Sequence, residues 1–424
     1  MRKELRRKIG LFSVTASGVG MILGAGIYAL IGNAAGVTGN TVWISFLLGA
    51  FISSFTGLSY AELSSMIPKA AAEVSYVKEI FKGDLAPFLT GWIIIFTEIV
   101  TISTVALGFG GYFKGLFGIP IVAAAAILIA LLSLINFIGI EESSKVTIVF
   151  TIIEASGLLM IVILGIPYFG NVNYFESSQG IQGILKASTL IFFAYLGFED
   201  IVNLAEETKD PERNIPKALI LSVIVTALVY VLVAVAVVSI VNWQELGESC
   251  CPLAFAASKS LGQNAFLTMS VIALFATANT ILVLLIVSSR MVYGMARDGF
   301  LPHSLSKLSR RGTPWIAILA VMILPCFVIL IGNIRLVAEI TNLGTFIIFA
   351  TVNLSVIWLR YGKPDWKRPF KTPITIAKMP LIPLLGLLSC GLMITQFRID
   401  ILALGVLVIL LGMIASKFLS KVKK

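Results

Sequence analysis

Histidine is all but missing: His303 is the one example in 424 residues. A histidine-based catalytic group or metal cluster therefore has nothing to be built from. Charge is scarce as well, since 13% of residues are Asp, Glu, Lys or Arg against about 25% in an ordinary soluble domain. With 58% of residues hydrophobic, the composition is that of an integral membrane protein. Four cysteines, Cys250, Cys251, Cys326 and Cys390, make neither a disulfide framework nor a zinc site, and no cofactor or metal is implied. Cys326 and Cys390 lie in apolar segments as packing residues. Cys250 and Cys251 are adjacent in an expected outside loop, where a strained vicinal disulfide is the exceptional alternative to two thiols.

What the chain has in abundance is long apolar runs, expected to form twelve spans at 9–31, 42–66, 86–111, 119–139, 146–168, 186–205, 217–241, 265–295, 314–332, 336–360, 379–396 and 399–418. The basic stretch Arg2 to Lys8 before the first run superficially resembles a secretory signal, but the run is too long and no small-residue cleavage site closes it. With tails 1–8 and 419–424 in the cytoplasm, 27 basic residues fall inside; five, Lys114, Lys186, Lys259, Arg335 and Arg398, fall outside. That asymmetry sets the orientation. It also argues against nucleic acid as the partner of the net charge of +10. Between spans two and three, Val74, Val77, Ile80 and Phe81 recur at helical spacing within Lys69 to Lys82, as in a helix lying flat on the cytoplasmic interface.

The first span contains Gly18-Val-Gly-Met-Ile-Leu-Gly-Ala-Gly-Ile-Tyr28. Each glycine costs about 1 kcal/mol relative to alanine in a helix, so a broken helix is expected. Bare peptide groups are tolerated at membrane depth only where they line a cavity or meet a ligand. Close helix packing is the competing explanation for some of these glycines. A dinucleotide loop is excluded, because no strand precedes Gly18. Span six repeats the oddity, with Glu199 and Asp200 placed directly after Phe192-Phe-Ala-Tyr-Leu-Gly-Phe198. Two interrupted helices five spans apart belong to units entering the membrane from opposite sides, the inverted repeat of secondary transporters. The units are 9–168 and 186–360, with 379–418 peripheral.

The chain resembles the amino acid-polyamine-organocation superfamily of permeases, closest to the cationic amino acid transporter type. The resemblance rests on Gly24-Ala-Gly-Ile-Tyr28, Tyr60-Ala-Glu-Leu63 with Pro68, Ala194-Tyr-Leu-Gly-Phe-Glu199, Ala205-Glu-Glu207, Asp210-Pro-Glu-Arg-Asn-Ile-Pro216, Ser289 to Pro302 and Arg368-Pro-Phe-Lys-Thr-Pro373. It implies ten core helices in two inverted halves plus two peripheral ones, and an amino acid held between broken helices 1 and 6. The zwitterion's carboxylate suits the amides of Gly24, Ala25 and Gly26 at a half-helix N-terminus. Its ammonium suits the carbonyls of Ile22, Phe193, Ala194 and Leu196, and Phe193, or its neighbour Phe192, matches the family's aromatic gate.

Glu154 stands alone in apolar span five, where several proton-coupled relatives carry a lysine. It is read as a proton carrier opposite Thr277, Asn279 and Thr280 of span eight, with a constitutively neutral acid or a sodium ligand as alternatives. Glu98 in span three is a candidate for the substrate side-chain pocket, although its spacing from Gly91-Trp92 departs by one residue from the family's glutamate. Glu199 is read as structural or as part of a gate. Glu62, Glu206, Glu207, Asp210 and Arg297 fall at the cytoplasmic rim. The expected function is a plasma-membrane amino acid permease, not an enzyme, working by alternating access with a proton as coupling ion. An exchanger of amino acids or polyamines, or a receptor on the same fold, is the alternative.

Overall fold

The computed structural model describes residues 10–67, 72–81, 83–138, 140–309 and 312–422, with side chains except at 72, 138, 140–148, 203, 205–207 and 419–422. The tail at 1–8, Pro68, and the side chains of Glu206 and Glu207 thus lie outside the described residues. In hydrocarbon every main-chain N–H and C=O must be bonded within its own segment, and the apolar runs accordingly form helices.

In chain order these are α1 (Leu11–Ile22), α2 (Ala25–Thr38), α3 (Val42–Met66), α4 (Ala72–Ile80), α5 (Leu85–Phe117), α6 (Ile121–Ile138), α7 (Ile140–Gly165) and α8 (Gly180–Ile191). There follow α9 (Pro211–Ile240), α10 (Trp243–Glu248), α11 (Pro252–Leu261), α12 (Gln263–Arg297), α13 (Trp315–Val328), α14 (Ile334–Gly362), α15 (Leu381–Ile394) and α16 (Ile399–Val422). Among the described residues, eight helical segments are long and apolar enough to cross a bilayer, one of them running Gly180–Val202 from α8 through the 3-10 turns after it; the bent pair α1 and α2 makes a ninth, and three apolar helices are shorter. α5 packs against α12 and α14, and α9 against α1 and α3.

Three features depart from the sequence reading. α5 continues to Phe117, because helix-compatible residues follow Gly111 until Gly118 adopts φ +71° and ends it. Between α9 and α12 the loop folds into α10 and α11; the Asn242 side chain accepts from the Gln244 amide at 3.0 Å to start one, and Pro252 opens the other. α4 packs on α5 and α14 and buries Tyr76 and Val77, so it is part of the bundle, while the flanking Lys69 and Lys82 lie outside the described residues. The Tyr60 hydroxyl donates to Glu73 Oε1 at 2.9 Å, and burial pushes the Glu73 carboxyl up from its ordinary value.

Glu62 is a fully buried anchor. Arg360 of α14 grips its carboxylate with Nε on Oε1 at 2.8 Å and Nη2 on Oε2 at 2.6 Å. The Thr372 amide and hydroxyl donate to Oε2 at 2.8 and 3.0 Å, and Arg368 Nε stands 3.5 Å from Oε1. One carboxylate thereby ties α3 to α14 and to the loop ahead of α15. That loop carries a short hairpin, β1 (Thr375–Ile376) antiparallel to β2 (Met379–Pro380).

Candidate functional site

The first span changes direction by 47° between α1 and α2. Leu23 leaves helical geometry at φ −63°, ψ 90°, although its amide still reaches the Val19 carbonyl at 2.7 Å. Gly24 is extended at φ −131°, ψ −170°, a conformation open to any residue. At Ala25 the amide donates to Thr280 Oγ1 of α12 at 3.1 Å. The interruption therefore faces α12, and the first turn of α2 points its amides inward without a side-chain cap.

The sixth span breaks differently. α8 tightens into a 3-10 turn over Phe192–Tyr195, Leu196 is extended at ψ 142°, and Gly197 takes φ +108°, which strongly favours glycine. The chain resumes as a 3-10 segment over Glu199–Glu207. The Glu199 carboxylate accepts from the Gly197 amide at 2.9 Å, so this acid caps the second half of the break.

The two interruptions meet. A Cβ on Gly26 would lie 2.5 Å from Ala194 Cα, and one on Gly197 would strike the Met21 carbonyl. Gly18 and Gly20 also face neighbours, Ser222 with Ile201 and Thr151 respectively, so close packing accounts for three of the four glycines alongside the break itself. Buried tyrosines join the pieces. The Tyr230 hydroxyl of α9 lies 2.7 Å from the Ile22 carbonyl and 2.9 Å from that of Ala194. It has one proton for two acceptors, one on each broken helix. Tyr28 donates to the Glu154 carbonyl at 2.6 Å, and Tyr112 to the Tyr28 carbonyl at 2.7 Å.

Glu154 is wholly buried, and neither of its carboxyl oxygens completes a hydrogen bond among the described residues. Asn279 faces it, donating to Thr151 Oγ1 at 3.3 Å while its own Oδ1 lacks a donor. The Thr277 hydroxyl donates to the Ala273 carbonyl of its own helix at 2.7 Å. Phe192 packs its ring 4.5 Å from that of Phe346; Phe193, also buried, lies beside the break.

The sequence matches the family model described as Amino acid permease over residues 9–415. The chain belongs to the amino acid permease family. It is 29% identical to the branched-chain amino acid permease BcaP of Bacillus subtilis over 92% of this permease and 87% of that protein. The methylthioribose transporter of Bacillus subtilis is 29% identical over 92% of this chain and 88% of its own length. The vacuolar cationic amino acid transporter 4 of Arabidopsis thaliana is 29% identical over 85% of this chain and 64% of its own.

In this permease Glu98 of α5 faces α12. Its carboxyl lies beside Ser288 of α12, with Asp200 and Glu73 as its neighbouring charges. Ser288 follows Thr280 by eight residues on one helix, about 12 Å at roughly 1.5 Å per residue. Glu98 thus belongs with the acids beyond the span-six break, and Ile22, Gly24, Ala25, Gly26, Phe193, Ala194, Leu196 and Thr280 form the other group. Tyr230 is the residue that sequence reasoning missed, since a lone tyrosine in an apolar span carries no signal until its partners are placed. Replacing it with phenylalanine strips a buried donor from two carbonyls, a loss of about 1–3 kcal/mol. Tyr230→Phe is expected to lower initial uptake roughly tenfold, measured per folded molecule; a change in stability alone would place the hydroxyl outside the site.

Proposed function

We propose that this protein is a proton-coupled amino acid symporter of the plasma membrane, working by alternating access with both termini in the cytoplasm. In this reading the three shorter apolar helices complete twelve spans, and the units 9–168 and 186–360 rock against each other as inverted repeats, with 379–418 at the periphery. The amino acid carboxylate rests on the amides of Gly24, Ala25 and Gly26, and the ammonium on the carbonyls of Ile22, Phe193, Ala194 and Leu196. Substrate displaces the Thr280 hydroxyl from the Ala25 amide and takes over one of the two carbonyls held by Tyr230, which keeps the other, so main-chain polarity satisfied within the protein becomes polarity shared with the ligand. Phe193 closes over it. The supporting observation is the back-to-back meeting of two interrupted, buried helices whose exposed peptide groups are held by two hydroxyls.

Of the side chains beside the assigned peptide groups, Ile22, Phe193, Leu196, Tyr230 and Thr280 carry no charge, Glu199 is engaged with the Gly197 amide, and Glu98 lies beside Ser288, about two helical turns from Thr280 along α12. The substrate is therefore an amino acid with an uncharged side chain, a reading that agrees with the branched-chain permease among the relatives.

Glu154 carries the proton. Its buried carboxyl lies beside Asn279, with neither oxygen completing a hydrogen bond among the described residues, a setting that favours the neutral, protonated acid. Uptake into liposomes under an inward proton gradient tests this. Glu154→Gln is expected to retain exchange of labelled for unlabelled substrate while losing accumulation driven by the gradient. Undiminished gradient-driven accumulation in the variant would remove Glu154 from the coupling.

A further inference from the structure

The loop between α10 and α11 brings two thiols together on the cover of the molecule. Cys250 is exposed and Cys251 is buried at the start of α11; both are free, with sulfur atoms 3.8 Å apart. The Ser249 hydroxyl accepts from the Cys251 amide at 3.2 Å and fixes the turn.

Direct closure to a disulfide fits this pair poorly. Adjacent residues hold their Cα atoms about 3.8 Å apart, short of the roughly 4.4–6.8 Å that disulfides ordinarily span. A bridging atom fits well, because two bonds of about 2.3 Å meeting near the tetrahedral angle separate their sulfur ligands by about 3.8 Å. We propose that Cys250 and Cys251 form a bidentate dithiol site for a thiophilic metal ion or trivalent metalloid, and that its occupation restrains the outer cover of the transport site.

The second half of the proposal follows from what the loop touches. Gly111 of α5 makes room for the Cys250 carbonyl, and Gly115 places Cys251 Sγ 3.3 Å from where its Cβ would be. α10 lies on α2, where a Cβ on Gly36 would be 3.1 Å from Gly247 Cα. The dithiol therefore sits on a strap running from α5 to the second half of the broken first span. With an arylarsenoxide, the two S–H groups are replaced by two As–S bonds; the arsenic oxygen leaves as water with both thiol protons, and arsenic stays trivalent. With a divalent ion, two protons are released and no redox change occurs.

The test uses the purified full-length protein, reduced and freed of reductant, with phenylarsine oxide and, separately, Cd2+ as probes. The expected result is one arsenical adduct per chain by intact mass, resistant to a monothiol and removed by a dithiol. A sulfur-to-cadmium absorption band in the ultraviolet is also expected. Cys250→Ser and Cys251→Ser each lose both signals, as does Cys250→Ala, whose exposed position tolerates the change. A wild-type protein that takes up neither probe, or single-cysteine variants that keep either signal, overturns the site. These readouts do not depend on transport. In liposomes, the adduct is expected to slow wild-type uptake at least tenfold, with recovery on adding dithiol and no effect on Cys250→Ser. Unchanged uptake by fully modified protein overturns the restraint.

Discussion

Gly26→Ala abolishes uptake, whereas Gly24→Ala, two residues away, reduces it only a few-fold. The alanine methyl at position 26 would lie 2.5 Å from Ala194 Cα, well inside the roughly 3.5–4.0 Å of an ordinary carbon contact. The obstacle is main chain, which no rotamer change can relieve, so the two breaks must separate by about 1 Å. A misplacement of that size costs on the order of 100-fold where geometry decides function. At position 24 the backbone is extended, and a Cβ meets Thr280 Oγ1 at 3.2 Å, a side chain that can give way. Initial rates of uptake, normalised to folded protein, check both. Equal losses for the two variants would mean that the glycines matter for helix propensity and not for the meeting of the breaks.

Glu62→Gln destabilises the protein by about 3–5 kcal/mol, the usual result of removing one member of a buried ion pair. The carboxylate is 1% exposed, and the Arg360 and Arg368 side chains are 5% and 8% exposed, so solvent cannot replace the lost charge. Glutamine still accepts from Thr372 but leaves two guanidinium groups facing each other. Thermal unfolding in detergent should show the loss as a clearly lowered Tm, with uptake per folded molecule nearly unchanged because none of the cluster's side chains bonds to the peptide groups of either break. A variant as stable as the wild type would show the pair to be solvated or dispensable.

The fold was legible because its dominant constraint, apolar length, is written in consecutive residues. The interruption of the first span was legible for the same reason: four glycines between Gly18 and Gly26 cannot make an undisturbed helix cheaply. Sequence spacing alone could not separate the glycines at the break from those that let a neighbour approach; the structure puts Gly24 at the break and Gly26 inside α2, against Ala194. Glu62 looked like a rim charge because Arg360 is 298 residues away, and only the folded chain brings them together. Glu98 and Glu154 looked alike as lone acids in apolar spans, yet one lies with Asp200 and Glu73 and the other with Asn279. Tyr230 was invisible for a related reason, since its function depends on two carbonyls in other helices. Side chains that act locally leave a trace in sequence; those that act across the bundle do not.

The central claim is that peptide groups at two broken helices grip an amino acid, and a cryo-electron microscopy structure with a transported amino acid bound tests it most directly. The expected density lies between Gly24–Gly26 and Phe193–Leu196, with the carboxylate on the amides of α2 and the Tyr230 hydroxyl moved off at least one carbonyl. Substrate density beside Glu98, with the contacts of Tyr230 and Thr280 unaltered, would contradict the account.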